Sequence, residues 1–215
     1  MTDYKLILGN KTYSSWSLRG WLVVRLAGIP CGEMVIPLRK PGTRADIQKY
    51  TPAGKVPTLL VDGEAVWDSL AIAEYLAESF PEKGLWPADP AARRLARCVA
   101  AEMHSSFTAL RGALPMDLSK HYPGHKISAG VQADIDRIQQ IWRDCRGRFG
   151  AGGDFLFGRT SIADAFYAPV VTRFRTYDVQ LDTVTAAYCD AVTAWPAMQE
   201  WTAAAGGETE VIIFD

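Results

Sequence analysis

The residues Lys55–Tyr75, KVPTLLVDGEAVWDSLAIAEY, decide the fold of this chain. The apolar, partly β-branched run Val56–Val61 predicts a strand that begins close to Pro57. Asp62-Gly63 is typical of the tight turn of a β-hairpin, so a short return strand should follow it. Asp68-Ser69 then opens a helix with apolar residues at helical spacing. The stretch predicts a ββα unit at one edge of a sheet.

The proline in this unit limits how the strand can be used. A proline lacks the N–H that a ladder needs, so it must lie on an edge, at a strand start or at a bulge. One solution is a cis Val56-Pro57 bond, which would leave the Val56 N–H and C=O free to pair with an extended peptide. Asp68 and Ser69 lie at a helix N-terminus, where unpaired N–H groups favour anions. Together these groups could bind a small peptide, and Asp68 could pair with the amine of that peptide. The alternative is an ordinary hairpin with Ser69 as a helix cap.

The residues before this unit predict a β-α-β-α order. Strands are expected at Lys5–Leu8 and Glu33–Leu38, a helix at Leu18–Ala27 that Gly28 ends, and a short helix or turn at Arg44–Lys49. A strand-helix-strand unit implies a parallel pair with a right-handed crossover. The closing hairpin adds an antiparallel edge, so we predict a small α/β domain with a mixed four-stranded sheet.

The second half of the chain is helical in pattern. Phe80–Ala91 carries three prolines and a glycine and is predicted to be a linker. Apolar residues then recur every three or four positions over Leu95–Leu114 and over Val131–Phe149, which predicts two long helices packed as neighbours in a bundle. Shorter helices are expected at about Thr183–Val192 and Pro196–Ala204.

Ser161-Ile162-Ala163-Asp164 has the spacing of a helix-capping box. The Asp164 carboxylate can accept a hydrogen bond from the Ser161 N–H and suits the positive end of the helix dipole. The neighbouring residues are apolar, so we expect this helix start to be buried and Asp164 to be structural rather than a catalytic acid. The apolar tail Val211–Phe214 is expected to pack on the bundle or on the first domain.

The composition and the net charge exclude several classes of protein function. Of the 215 residues, 48% are apolar and 22% are charged, which is the balance of a globular protein. A net charge of -1 provides no electrostatic footprint for nucleic acid or an anionic membrane. No run approaches the ~20 apolar residues of a membrane span, and the first strand starts too early for a signal peptide, so we expect a cytoplasmic protein. The four cysteines have no metal-like spacing, and we expect buried free thiols and no metal site; they are Cys31, Cys98, Cys145 and Cys189.

Four segments, taken in order, carry a resemblance to a known family. They are Tyr13–Arg19 (YSSWSLR), Lys55–Leu60 (KVPTLL), Asp68–Ile72 (DSLAI) and Ser161–Asp164 (SIAD). In this order and spacing the chain resembles the cytosolic glutathione S-transferases over essentially its whole length.

The resemblance implies an α/β plus all-α architecture. A thioredoxin-like, glutathione-binding domain would cover residues 1–79, a linker residues 80–91, and an all-helical domain residues 92–215. The family also implies a cis-proline at Pro57, glutathione as co-substrate, a small hydrophobic electrophile as the second substrate, and a homodimer.

In the family, a hydroxyl or thiol near the first helix faces the glutathione sulfur. Ser14 is our first candidate for this role, Ser15 is the alternative, and Tyr13 ranks third. Ser14–Ser17 occupies the place of a thioredoxin CxxC motif, and a serine cannot form a disulfide. Thiol-disulfide chemistry is therefore disfavoured, whereas a hydroxyl at a helix N-terminus can donate a hydrogen bond to a thiolate.

The remaining site residues follow from the same resemblance. Val56 would pair through its main chain with the cysteinyl part of glutathione. Asp68 would bind the γ-glutamyl amine, and Ser69 with its N–H would bind the adjoining carboxylate. Lys55 or Lys40 would meet the glycyl carboxylate.

The electrophile is expected between the domains, against Asn10–Tyr13 and a helix that carries Met103, His104 and Phe107. The pattern SSxSxR is most similar to the zeta class, whose members include maleylacetoacetate isomerase, although Trp16 replaces a small cysteine there. We therefore expect a glutathione S-transferase. The alternatives are a zeta-like glutathione-dependent isomerase and a non-catalytic glutathione-binding scaffold.

Overall fold

The computed structural model describes residues 2–214, and its first part is a four-stranded sheet. The strands are β1 (Tyr4–Leu8), β2 (Gly32–Val35), β3 (Thr58–Val61) and β4 (Glu64–Val66), in the spatial order β2-β1-β3-β4. β2 runs parallel to β1, whereas β3 is antiparallel to both β1 and β4. The mixed four-stranded sheet predicted from the sequence is confirmed.

Three helices accompany the sheet: α1 (Ser15–Ala27), α2 (Thr43–Gln48) and α3 (Ser69–Ser79). The hairpin between β3 and β4 turns at Asp62-Gly63, where both φ angles are positive (49° and 90°), as a two-residue loop of this kind requires. Alternate strand residues and one face of each of α1 and α3 form a common core. Its fully buried side chains include Leu6, Leu8, Leu18, Leu22, Leu59 and Ile72.

Two element ends differ from the prediction for identifiable reasons. α1 begins at Ser15, three residues earlier than predicted, because Ser14 caps it by accepting a hydrogen bond from the Ser17 N–H. β2 stops at Val35 rather than Leu38. Pro37 follows closely and has no N–H to continue the ladder.

The second part of the chain is all helical, as predicted. Its helices are α4 (Pro90–Ser105), α5 (Thr108–Ala113), α6 (Ala129–Phe149), α7 (Ile162–Thr176), α8 (Thr183–Ala194) and α9 (Pro196–Ala205). α7 is almost completely buried and packs against α4 and α8 of its own part and against α1 of the first part. The two parts therefore share one continuous hydrophobic core. Aromatic rings fill its helical side: Trp142 lies 4.8–5.8 Å, between ring centroids, from Tyr167, Phe174 and Tyr188.

The prediction of one long helix over Leu95–Leu114 is wrong. The chain breaks after Ser105, and Phe107 takes a left-handed conformation (φ 60°) before α5 begins. Serines compete with helical hydrogen bonds through their side chains, and the Ser105 hydroxyl donates to the Ala101 carbonyl. The apolar stripe is still buried, so the spacing identified core residues correctly but could not detect the break.

The four cysteines are unpaired, but only Cys145 and Cys189 are buried. Cys31 is half-buried and Cys98 is exposed on α4, which corrects the expectation of buried thiols throughout. Among residues 2–214, no helix is long and apolar enough to cross a membrane.

Candidate functional site

The N-terminus of α1 lies between two cavities. Ser14, at the N-cap, lines a cavity of about 830 Å³ that the first part of the chain builds; we call it the sheet-side cavity. Its lining includes Ser14, Lys40, Lys55, Val56, Pro57 and Asp68. Ser15 lines the other cavity, of about 1430 Å³, between the two parts of the chain; we call it the helix-side cavity. Adjacent serines on one helix turn thus face different spaces.

Ser14 is held by Ser17. The Ser14 Oγ accepts a hydrogen bond from the Ser17 N–H (3.2 Å) and lies 2.8 Å from the Ser17 Oγ. The Ser17 hydroxyl oxygen in turn accepts from the Gly9 N–H at 2.9 Å. Ser14 and Ser17 are both buried, and because hydroxyl hydrogens rotate, either oxygen can donate to the other. The hydroxyl that faces the sheet-side cavity is therefore supported from behind by a second hydroxyl.

Val56 and Pro57 form the opposite wall of the sheet-side cavity. The Val56-Pro57 peptide bond is cis, as expected, and β3 begins directly after it at Thr58. The Val56 N–H and C=O take no part in the backbone hydrogen bonds of the described chain. Gly20 lets α1 approach this turn, because a Cβ there would lie 2.8 Å from the Pro57 ring. An extended peptide would meet free main-chain groups here.

Asp68 and Ser69 lie at the start of α3, as predicted. Asp68 is the N-cap, and its Oδ1 accepts from the Leu70 N–H at 2.9 Å. Its other oxygen, Oδ2, lies 3.2 Å from the His104 Nε2. Ser69 is fully buried behind Asp68, and its hydroxyl has no hydrogen-bond partner among the described residues. Asp68 thus presents a carboxylate to the sheet-side cavity, whereas the Ser69 side chain lies behind it and is not part of the cavity lining.

Most of the charged residues that line the helix-side cavity are cations. Arg39, Arg111, Arg173 and Lys120 line it, whereas Asp117 is the acidic residue in its lining and is already engaged by Ser119. The role of these arginines in the cavity was not predicted from the sequence, because no motif marks them. They come from separate segments that only the tertiary fold brings together.

Two of these arginines form a cluster with a third, Arg19 of α1. The guanidinium groups of Arg19 and Arg111 each lie 4.4 Å from the centre of the Trp16 ring. Among residues 2–214, no carboxylate lies within ion-pair distance of Arg19, Arg111 or Arg173. Arg173 donates only to backbone carbonyls, those of Leu114 and Pro169. The cluster is thus rich in positive charge.

Burial lowers the pKa of two arginines in this cluster. It lowers the pKa of Arg173 to about 10, and Arg111 adds a repulsive contribution. It also lowers the pKa of Arg19 well below the ordinary value, with further repulsion from Arg111 and Arg173. Arg19 is only 1% exposed, and its Nε and Nη1 have no partner among the described residues. Buried positive charge without a counter-charge is costly, so this region favours an anion.

The C-terminal tail closes one side of the helix-side cavity. The Phe214 ring packs edge-on against Tyr13, with 5.8 Å between centroids, and the Arg39 guanidinium stacks on it at 4.9 Å. Arg39 Nη1 also donates to the Ile213 carbonyl at 3.1 Å. The expected return of the tail to the body of the protein is confirmed, and these contacts place it on the first part of the chain.

Asp164 is buried away from both cavities. Its carboxylate accepts hydrogen bonds from the Ser161 N–H (2.8 Å), the Ser161 hydroxyl (2.9 Å), the Leu156 N–H (3.1 Å) and the Tyr188 hydroxyl (3.1 Å). Burial raises the pKa of Asp164 to about 6, against the opposing effect of these hydrogen bonds. The capping box forms as expected, and its position is that of a structural residue.

Within residues 2–214, no group of three or more histidine, cysteine, aspartate or glutamate side chains is arranged to hold a metal ion.

Family comparison matches residues 13–79 to the glutathione S-transferase N-terminal domain and residues 128–204 to the glutathione S-transferase C-terminal domain. The two matches cover more than half of the chain and follow each other in the family's order. The chain belongs to the glutathione S-transferase family. Membership makes it a glutathione-dependent enzyme, and the Ser14 and Asp68 segments both fall within the matched N-terminal domain.

Individual relatives of this glutathione S-transferase point the same way. It is 28% identical over 209 residues to maleylacetoacetate isomerase of Pseudomonas aeruginosa, covering 91% of this chain and 87% of that protein. It is 26% identical over 172 residues to probable maleylacetoacetate isomerase of Caenorhabditis elegans, covering 78% and 80%. Its structure is similar to a glutathione transferase homolog from Burkholderia GL BGR1 with bound glutathione (TM-score 0.74, 22% identity, covering 96% and 100%). At that identity, the structural likeness supports the fold.

Proposed function

We propose that this glutathione S-transferase binds glutathione in the sheet-side cavity and activates its thiol through the Ser14 hydroxyl. The thiolate then attacks an acceptor held in the helix-side cavity, forming a carbon–sulfur bond while the leaving group departs with its electron pair. The observation that carries this proposal is the position of the Ser14 Oγ in the same cavity as Val56, Pro57 and Asp68.

The interactions available at the α1 N-terminus are strong enough to lower the thiol pKa. A free thiol has a pKa near ~8.5, so only a few per cent is ionised at pH 7. Lowering that pKa by about two units requires roughly 2.7 kcal/mol in favour of the anion. One hydrogen bond to a charged group supplies about 1.5–3 kcal/mol, and the N-terminus of α1 adds up to ~1 kcal/mol. Ser17 supports this bond, because its hydroxyl can donate to Ser14 while Ser14 donates to sulfur.

The other parts of glutathione would also be bound by residues in and around the sheet-side cavity. The main chain of Val56 would pair with the cysteinyl unit, and Asp68 would bind the γ-glutamyl amine. The unpartnered Ser69 hydroxyl and the α3 N-terminus suit the adjoining carboxylate. Lys40 and Lys55 are both exposed at the rim, where either can meet the glycyl carboxylate. The cavity volume of about 830 Å³ is appropriate for a molecule of this size.

The charge of the helix-side cavity changes our expectation about the acceptor. The resemblance alone suggested a small hydrophobic electrophile, but this cavity is lined by arginines as well as by aromatic and aliphatic side chains. An acceptor that carries a carboxylate would supply the counter-charge that Arg111 and Arg173 lack. We therefore propose an anionic electrophile.

The second candidate is a glutathione-dependent isomerase. The relatives named above are maleylacetoacetate isomerases, and the molecule in their name carries two carboxylates, which the cationic cavity would fit. In that reaction the thiolate would add to a conjugated double bond, the bond would rotate, and the thiolate would leave again. Glutathione would then be regenerated, whereas conjugation consumes one molecule per product.

An experiment can separate these candidates, because isomerisation regenerates glutathione and conjugation consumes it. The ultraviolet absorbance of bound thiolate is titrated in the wild-type complex, and turnover is measured with maleylacetoacetate, a carboxylated aryl halide and its neutral counterpart. We expect a thiol pKa well below that of free glutathione and a preference for the anionic member of the halide pair. Isomer formation without glutathione loss selects the second candidate. An undepressed thiol pKa without turnover on any substrate would establish the non-catalytic scaffold.

We also propose that the enzyme acts as a homodimer, as the family resemblance implies. The hairpin-helix edge of one subunit would meet the exposed face of α4 of the other, which includes Arg94, Cys98 and Ala101. Light scattering at micromolar concentration should give about twice the subunit mass of 23.6 kDa. A mass near that of one subunit would reject the dimer.

A further inference from the structure

His104 links the helical part of the protein to the sheet-side cavity. It lies in the last turn of α4, and its Nε2 approaches the Asp68 Oδ2 at 3.2 Å. The other Asp68 oxygen already caps α3 through the Leu70 N–H. The Asp68 side chain therefore has one oxygen fixed by its own helix and one fixed by a residue from the other part of the chain. It is nevertheless 56% exposed and accessible to a ligand.

Burial and two nearby cations disfavour the protonated form of the His104 ring. Arg19 of α1 and Arg111 of α5 both repel a protonated imidazole, whereas Asp68 attracts it. α7 contributes the apolar ring of Phe166, at 6.3 Å between centroids. Burial is the largest effect, and the pKa of His104 is lowered below its ordinary value.

The two ring nitrogens of His104 have different environments. Nε2 faces Asp68, whereas Nδ1 is buried and has no hydrogen-bond partner among the described residues. A neutral imidazole carries one N–H, and the contact with a carboxylate oxygen assigns that hydrogen to Nε2. The Trp16 ring packs edge-on against the imidazole, with centroids 5.2 Å apart, and holds it in this orientation.

We propose that His104 is a positioning residue that orients Asp68 for the glutathione amino group while leaving the carboxylate's negative charge uncompensated. This inference rests on the proposed function, in which Asp68 binds that amine. A neutral N–H donor fixes the direction of the carboxylate without cancelling its charge. A protonated His104 would instead pair with Asp68 as a cation and compete with the glutathione ammonium. Positioning by a neutral ring is therefore compatible with binding, whereas protonation opposes it.

The test compares two variants and two ligands by calorimetric titration of the full-length protein at pH 7.5. His104→Leu removes the donor, whereas His104→Gln keeps a neutral N–H donor at a similar reach. The ligands are glutathione and its deaminated analogue, which lacks only the amino group. We expect His104→Leu to weaken glutathione binding by about five- to tenfold, the scale of one hydrogen bond, and His104→Gln to recover most of the loss. The affinity for the deaminated analogue should not differ among the proteins.

A pH series separates orientation from packing. As the pH falls from 7.5 through the lowered pKa of His104, the wild type should lose more glutathione affinity than His104→Gln, because only the histidine gains a charge. Parallel profiles for the two proteins would overturn the proposal. So would a His104→Leu affinity equal to that of the wild type, or an equal loss for both ligands.

Asp68→Asn distinguishes this inference from the proposed site. If Asp68→Asn weakens glutathione binding and His104→Leu does not, the positioning role of His104 is rejected and the site assignment survives. If neither substitution changes the affinity, Asp68 is not the amine site, and both proposals fail together.

Discussion

The two cavities beside α1 are built in different ways. The sheet-side cavity is made from nearby segments of the first part of the chain and presents main-chain groups, a hydroxyl and one exposed carboxylate. The helix-side cavity draws on distant segments, from Tyr13 to Phe214, and presents Arg111, which is half-buried, and Arg173, which is buried, both without a carboxylate partner among the described residues. A co-substrate of constant structure can be recognised by backbone geometry, whereas in the proposed function the selectivity for the acceptor depends on side-chain charge.

The largest expected effect comes from a buried residue that lines neither cavity. Asp164→Ala deprives four buried donors of their acceptor, and we expect the free energy of unfolding to fall by about 3 kcal/mol. Chemical denaturation of the variant and the wild type measures this. Glutathione affinity in the folded fraction should be unchanged, because Asp164 contacts neither cavity. Full stability combined with lost affinity would show that Asp164 belongs to the site.

The same residue predicts a pH dependence with a definite sign. The pKa of Asp164 is raised to about 6, above the value of about 3.9 expected for an unfolded chain. The folded state therefore binds this proton more tightly, and the associated stability is present below pH 4 and lost as the pH rises to 6. Relative to Asp164→Asn, which does not titrate, the wild type should lose stability across this interval. A constant difference between the two proteins would contradict the raised pKa.

The next effect tests the sheet-side cavity alone. In Ser14→Ala the thiolate loses one charged hydrogen bond, so the thiol pKa should rise by about one to two units. The rate at pH 7 should fall by about 10–100-fold and recover partly at higher pH, where the thiol ionises unaided. Glutathione affinity should change little, because the contacts at Val56 and Asp68 are intact. An unchanged thiol titration would remove Ser14 from the mechanism.

These expectations also show what could be predicted from the sequence. The hairpin, the cis-proline turn and the α3 N-terminus are adjacent in the chain, and local patterns specify them. Asp68 and Ser69 therefore lie where expected, at the start of one helix, and Val56 is exposed to the cavity beside them. The capping box at Asp164 is equally local. Each of these predictions depends on turn and capping chemistry that acts over a few residues.

The helix-side cavity could not be predicted in this way. Arg19, Arg111 and Arg173 lie far apart in the sequence, and an arginine at helical spacing normally indicates a solvated face. The break at Phe107 was hidden because its side chain keeps the apolar period. Which cavity Ser14 and Ser15 each line also required coordinates, since the two residues differ by a rotation of about 100° around one helix. Tertiary packing determines all of these features.

A smaller effect tests the helix-side cavity alone. Arg111→Met keeps an unbranched side chain beside Trp16 but removes the guanidinium charge that stacks on the ring. We expect KM for a carboxylated acceptor to rise by about tenfold, the scale of one charged hydrogen bond, with no change in the glutathione thiol pKa. KM for the neutral counterpart should stay the same, and this is the matched control. Equal changes for both acceptors would indicate a packing defect rather than charge recognition.

The smallest expected effect separates the two cavities most sharply. Ser15 is adjacent to Ser14 in sequence and equally buried, but it lines the helix-side cavity together with Tyr13 and Trp16. Ser15→Ala should therefore leave the thiol pKa of the glutathione complex within about 0.2 units of the wild-type value, because a hydroxyl that faces the other cavity cannot donate to the sulfur. Any change should appear in KM for the acceptor. If the ultraviolet titration instead moves up by one unit or more in Ser15→Ala and stays in place in Ser14→Ala, the two serines exchange roles, and glutathione must extend across the α1 N-terminus.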